Sequence, residues 1–167
     1  MRLITSRQFK IVLVIVAALV CAVVFALAAN PHFVGKVTAT LVGPNVLVCW
    51  KEAGLGNNQL IDYVASANAT ATYVCVNNGG QCPNAANKIT VSGPVSATGT
   101  FSSGQNGQIT QCLTFVPPGP GGFSCPSGQT LTLADVSYSG IQIKDVTNNV
   151  TKTAAPSGLS ATPFICP

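Results

Sequence analysis

The chain has 167 residues, 7% charged and 47% hydrophobic, which fits one globular domain and excludes a disordered polyelectrolyte. Its formal charge of +4 is concentrated at the start, in Arg2, Arg7 and Lys10; beyond them five lysines face four acids, and no Arg follows position 7. Arg is the usual reader of phosphates and guanine edges, so no nucleic-acid partner is expected.

The first element is apolar. Residues 11–29 read IVLVIVAALVCAVVFALAA behind three cations, and Asn30-Pro31 ends the run. That is the n-region, h-region and small-residue cleavage site of a secretory signal. Ala26-Leu27-Ala28 places the cut before Ala29, giving a signal peptide over 1–28 and an exported domain over 29–167. The run is also long enough to span a bilayer. If it is retained, the chain is membrane-anchored or a pilin-like surface subunit, and this segment is its only membrane contact. Against the pilin reading, Lys10 directly precedes the apolar run and no Glu lies near its start.

After the leader the hydrophobic period is two. Val34–Val42 and Val46–Lys51 flank Gly43-Pro44-Asn45, a turn signal. Trp50 beside Cys49 must face opposite to it. From Ile61 to Cys75 every odd residue is apolar or aromatic, the pattern of a strand with one buried face. A strand that long predicts a bulge near Ala67–Ala69. Ile89–Val91 and Val95–Phe101 flank Ser92-Gly93-Pro94. Asn106-Gly107, between Phe101 and Ile109, is the strongest hairpin signal. Ile109–Val116 runs into a Pro/Gly loop, Pro117 to Gly122, which cannot continue a strand. Thr130–Tyr138, Ile141–Val146, a turn at Thr147-Asn148-Asn149, and Leu159–Cys166 complete the chain. Short strands at this spacing predict a single immunoglobulin-like β-sandwich of roughly seven to nine antiparallel strands, preceded by an N-terminal apolar signal helix.

Six cysteines follow the leader: Cys49, Cys75, Cys82, Cys112, Cys125 and Cys166. An even number in an exported chain reads as a disulfide framework, with fifteen connectivities open.

Three segments carry a resemblance: WKEAGLGNNQLIDYVASANATATYVCVNNGG, NKITVSGPVSATGTFSSGQNGQIT and PPGPGGFSCPSGQTLTLADVSYSG. They resemble uncharacterised small secreted β-sandwich proteins of soil bacteria and fungi, over Lys36 to Val150. The matching residues belong to turns and strands, so the resemblance implies a fold and no chemistry. It also implies that Cys75 pairs with Cys125. The other four cysteines are additions to that pattern, with Cys82–Cys112 and Cys49–Cys166 as the expected pairs. A local scheme, Cys75–Cys82 with Cys112–Cys125, stays open.

No catalytic kit assembles from the sequence, and no enzyme activity is expected. His32 is the only His, in the tail of the exported chain, so a nucleophile-and-base triad lacks its base. Glu52, Asp62, Asp135 and Asp145 are the only acids; scattered as they are, they read as solvated charges rather than as a glycosidase pair. No C-x-x-C occurs, so neither a metal nor another cofactor is expected. Phe123, in the Pro/Gly loop, and Trp50 are the candidate ligand contacts, Trp50 doubling as core filler. Asn68-Ala69-Thr70 and Asn149-Val150-Thr151 match the glycosylation sequon, making Asn68 and Asn149 candidate acceptors. The expectation is a secreted, non-enzymatic extracellular domain with a structural or adhesive role, whose partner lies outside the cell or in its envelope, with carbohydrate binding as the alternative.

Overall fold

A computed structural model describes residues 30–82 and 87–166. The leader, and with it the signal peptide, its cleavage point and its helix, lies outside the described residues. Within them run nine strands: β1 (His32–Phe33), β2 (Val37–Val42), β3 (Asn45–Ala53), β4 (Leu60–Asn77), β5 (Lys88–Ser102), β6 (Gln108–Phe115), β7 (Gln129–Asp145), β8 (Val150–Ala155) and β9 (Gly158–Ala161). No described residue is in an α-helix.

The strands form one mixed sheet in the order β1-β3-β2-β8-β7-β4-β5, with β6 on β3 and β9 on β7. Purely antiparallel pairing was expected, and it fails at one place. β2 and β8 run parallel, Val37 opposite Ala154 and Thr38 opposite Ala155. Parallel neighbours need a long crossover between them, and everything from β3 to β7 provides it. The side chains of β2, β3 and β6 meet those of β4 and β7 in one core, which includes Val37, Val46, Val48, Trp50, Tyr63, Phe115, Ile141 and Ile143. Trp50 of β3 packs on Tyr63 of β4 with ring centroids 4.8 Å apart, and Phe101 of β5 lies 5.9 Å from Trp50.

Two long strands depart from the expected segmentation. β5 runs unbroken through Gly93-Pro94. It is an edge strand, so the amide that Pro94 lacks costs no ladder bond on its open side. β7 joins Thr130–Tyr138 to Ile141–Val146 across Gly140, which takes a φ of 65°. There Gly140 and Ile141 together oppose Ala67 of β4, so the bulge lies where it was expected but the extra residue sits on β7. A second extra residue, Ala134, falls between the partners of Thr72 and Tyr73. Because β7 takes both, β4 keeps its parity, and Ile61, Tyr63, Ala65, Ala67, Ala69 and Ala71 are all buried. β7 changes parity instead: Val136 and Tyr138 face the core before Gly140, and Ile141, Ile143 and Asp145 are buried after it.

Asn106-Gly107 does not close a hairpin. β5 pairs with β4 and β6 with β3, so residues 103–107 are a crossing loop. This loop clasps the β3–β4 loop. Asn58 N donates to Gly104 O at 2.6 Å and Leu55 N to Gly107 O at 3.1 Å. Buried Ser103 ties both, its Oγ donating to Gly56 O (2.6 Å) and accepting from Gln59 N (2.9 Å). Gly107 is needed because a Cβ there would lie 3.1 Å from Gly56 O, at a φ of 61°.

The disulfides are Cys49–Cys112, Cys75–Cys125 and Cys82–Cys166. The pair implied by the resemblance is present; the expected Cys82–Cys112 and Cys49–Cys166 are not, nor is the local scheme. Cys49 and Cys112 stand directly opposite in the β3/β6 ladder, with Cα atoms 4.1 Å apart. That pairing was hidden by the hairpin signal, which pointed β6 at β5. Cys166 instead ends a tail that returns over the outer face of β4 and β7. There Phe164 and Cys82 pack on Val74, Val76 and Ala134, a small second apolar cluster.

Candidate functional site

Inward parity carries polar groups into the core at one end of the sheet. On β3 the even residues Val46, Val48 and Trp50 face in, and Glu52 continues the series at 0% exposure. On β7 the series Ile141, Ile143 ends at Asp145, also 0% exposed. Both acids were read from sequence as solvated charges. That reading is overturned, because each occupies the next inward position of an otherwise apolar strand face. Tyr63 of β4 stands opposite Asp145 in the ladder, and Glu52 lies opposite Phe33 on one side and Ile109 on the other.

These groups form one buried polar chain. The Trp50 and Tyr63 rings lie 4.8 Å apart, Tyr63 is the ladder partner of Asp145, and the Glu52 carboxyl is near enough to Tyr63 and Asp145 to be perturbed by both. Trp50 Nε1, Tyr63 Oη and both Glu52 oxygens are buried and complete no hydrogen bond among the described residues. Asp145 is supplied from the β7–β8 turn: the Asn148 amide N–H donates to Oδ1 at 2.8 Å and Asn148 Nδ2 to Oδ2 at 2.7 Å. Other core tyrosines reach backbone carbonyls, Tyr138 at Pro44 O (2.6 Å) and Tyr73 at Pro118 O (2.8 Å). Tyr63 instead points at a carboxyl. Burial pushes Glu52 up to about 7; the Tyr63 hydroxyl pulls it down, Asp145 pushes it further up, and His32 draws it slightly back. Burial, with the adjacent Glu52, also raises Tyr63 well above the usual phenol range. Shut away from solvent, this cluster suits the holding of a proton rather than the turnover of a substrate.

The other singled-out residues are dispersed. Trp50, named as a ligand contact, is 2% exposed and fills the core, so that role is withdrawn. Phe123 is half-buried in the Pro/Gly loop, its N–H donating to Pro120 O at 3.3 Å. Asn68 is exposed mid-strand on the outer face of β4, and Asn149 is exposed in the β7–β8 turn with a φ of 57°. Asp62 and Asp135 are exposed and accept hydrogen bonds from Thr100 (2.6 Å) and Thr162 (2.8 Å). His32 lies in β1, and its Nδ1 is 2.7 Å from Asn30 O. No group of three His, Cys, Asp or Glu that could hold a metal occurs among the described residues. A cleft of about 490 Å³ lies over the Cys82–Cys166 bond, lined by Thr72, Lys88, Asp135, Thr162 and Phe164 among others.

The outer faces of β4, β5 and β7 carry hydroxyls in register. Thr70 meets Ser92 at 2.8 Å, Thr72 meets Thr90 at 3.1 Å, and Gln142 reaches Ser66 at 3.4 Å.

Neither a family model nor a curated protein matches the chain. Among solved structures, it is similar to the crystal structure of Spo0M, sporulation control protein, from Bacillus subtilis, at 15% identity and a TM-score of 0.29. The alignment covers 84% of this chain and 50% of that one, so the chain spans half the length of the Spo0M chain. Likeness at that level carries no argument.

Proposed function

We propose that this chain is a secreted, non-enzymatic extracellular domain, a β-sandwich that acts through its surface in a structural or adhesive role. The observation that carries the reading is that all six cysteines after the leader are joined in three disulfides. Stable disulfides belong to oxidising compartments, and cytosolic thiols are kept reduced. The apolar leader with its small-residue cleavage site supports the same compartment. The sandwich reading is supported by Trp50 of β3 packing on Tyr63 of β4 although these strands are not ladder neighbours. In-register Ser and Thr on the outer faces offer a hydroxyl-rich surface with few charges among them, Asp62 and Asp135 included. The burial of Trp50, Tyr63 and Tyr138 favours that surface over a platform of aromatic rings.

The test is the intact mass of the protein exported by its own host, before and after reduction and alkylation. The expected result is a chain starting at Ala29 that gains six alkyl groups only after reduction. A mass retaining residues 11–29 supports the anchored reading instead. Sedimentation with insoluble envelope material tests the surface role; a protein that binds nothing yet turns over a substrate overturns it.

A further inference from the structure

We infer that Glu52 holds a proton toward Asp145 in the folded protein and acts as a latch on this end of the sheet, closed in acid and loosened above neutral pH. The inference is independent of the proposed role and rests on donor and acceptor bookkeeping in the buried chain.

Trp50 Nε1 can only donate. The Tyr63 oxygen can accept that proton and pass its own O–H onward. Asp145 already receives two donors from Asn148, which suit a carboxylate. Glu52 sits between the Tyr63 hydroxyl and Asp145. If Glu52 is charged, two carboxylates share the core, and the buried charged residues among the described ones include no cation. If Glu52 carries a proton, the chain runs in one direction. Trp50 donates to Tyr63, Tyr63 to the Glu52 carbonyl oxygen, and the Glu52 O–H to Asp145. Of the four unpaired buried atoms, the two Glu52 oxygens are the ones this proton bears on: a protonated Glu52 can donate to Asp145 where two carboxylates could only repel.

The titratable groups that face Glu52 are Tyr63 from β4, Asp145 from β7 and His32 from β1. β6, its neighbour on the other edge, places Ile109 opposite it and carries no charged residue. His32 is exposed, so water screens its charge. Nothing else among these neighbours neutralises a second buried negative charge.

The way out for a charged Glu52 is short. β1 covers it with only two residues, Phe33 directly opposite Glu52 and His32 opposite Ala53. Asp145 is held by the turn at 146–149. Loss of the Glu52 proton is relieved by lifting β1 or this turn, while the rest of the sheet stays paired.

The experiment is thermal unfolding of the oxidised protein from pH 4.5 to 8.5, for the native chain and for Glu52→Gln. Gln keeps the shape and an N–H donor toward Asp145, and it cannot titrate. The native melting temperature is expected to fall by several degrees between pH 5 and 8, and Glu52→Gln to lose most of that slope. At pH 8, exchange of the Val34 amide, which donates to Lys51 O, and of the Asn148 amide, which donates to Asp145, is expected to be at least tenfold slower in Glu52→Gln than in the native chain. The Glu52 carboxyl carbon resonance, followed against pH, gives a direct readout that needs no variant; its midpoint is expected near neutrality. A resonance that titrates in the ordinary glutamate range, or equal slopes in the two proteins, overturns the inference. So does calcium chloride at pH 8 that restores the acid melting temperature in the native chain alone, because the pair then holds a cation.

Discussion

The molecule has two apolar regions with different means of support. The main core lies among β2, β3, β4, β6 and β7 and includes two aromatic pairs, Trp50 with Tyr63 and Phe115 with Tyr138. The second cluster, on the outer face of β4 and β7, buries only Val74, Val76 and Ala134 under Phe164 and Cys82. Ladder pairing on several strands fixes the main core, so it can accommodate two buried acids. The outer cluster is too small to hold a chain terminus by burial alone, and the Cys82–Cys166 bond holds the tail there. Packing permits an electrostatic cost in one region, and a covalent bond substitutes for packing in the other.

The same truncation in both regions tests this contrast most severely. Phe115→Ala is expected to cost about 3–5 kcal/mol in urea unfolding, since its ring is buried against Tyr138. Phe164→Ala, removing a half-buried ring, is expected to cost about 1 kcal/mol. Equal losses would erase the distinction.

Disulfide removal comes next. Replacing Cys75 and Cys125 by Ser opens a 50-residue span anchored at the fully buried Cys75, with an expected loss of about 2–4 kcal/mol. Replacing Cys82 and Cys166 is expected to cost less, because the tail can fray and recover its freedom. Proteolysis at Phe164–Ile165 in that variant, with the sheet intact, checks it.

The pH dependence is smaller per unit. Folded Glu52 keeps a proton that the unfolded chain releases above about 4.5. Its stabilising contribution is therefore complete in acid and is lost as pH rises through about 7. Stability should fall by about 1.4 kcal/mol per pH unit across that window and level off beyond it, read by urea unfolding at fixed pH values. The smallest effect is at the loop clasp, where Gly107→Ala is expected to cost about 1 kcal/mol or somewhat more in the same assay.

Strand identity was legible wherever a single parity ran unbroken. β4 shows this best: seven odd residues from Ile61 to Tyr73 gave its inner face, and the bulge opposite Ala67 followed from length alone. β5 was legible too, since Ile89, Val91, Val95, Ala97 and Phe101 share one parity across Gly93-Pro94. The proline was weighted above the period, although at an edge it breaks nothing. β8 escaped detection because only Ala154 of its six residues is buried. The buried acids were readable by the same rule, Glu52 as the next even residue after Trp50 and Asp145 as the next odd residue after Ile143. Residue type was allowed to outvote position there. The partner of β6 was not readable, because Asn-Gly describes only its own backbone and says nothing about where the following strand docks.

The two-residue parallel contact of β2 with β8 has a kinetic side. It joins the first long strand to one far along the chain, with Ala154 lying 117 positions after Val37. Contacts between residues so distant in sequence give a fold high contact order, and such folds form slowly. During synthesis β2 must therefore wait, with one edge unoccupied, until residues 154–155 arrive. Over that interval this edge of β2 is open to pairing with another chain, and a helper that shields the early hairpin of β2 and β3 would raise the yield of folded protein more than one acting on the finished sheet.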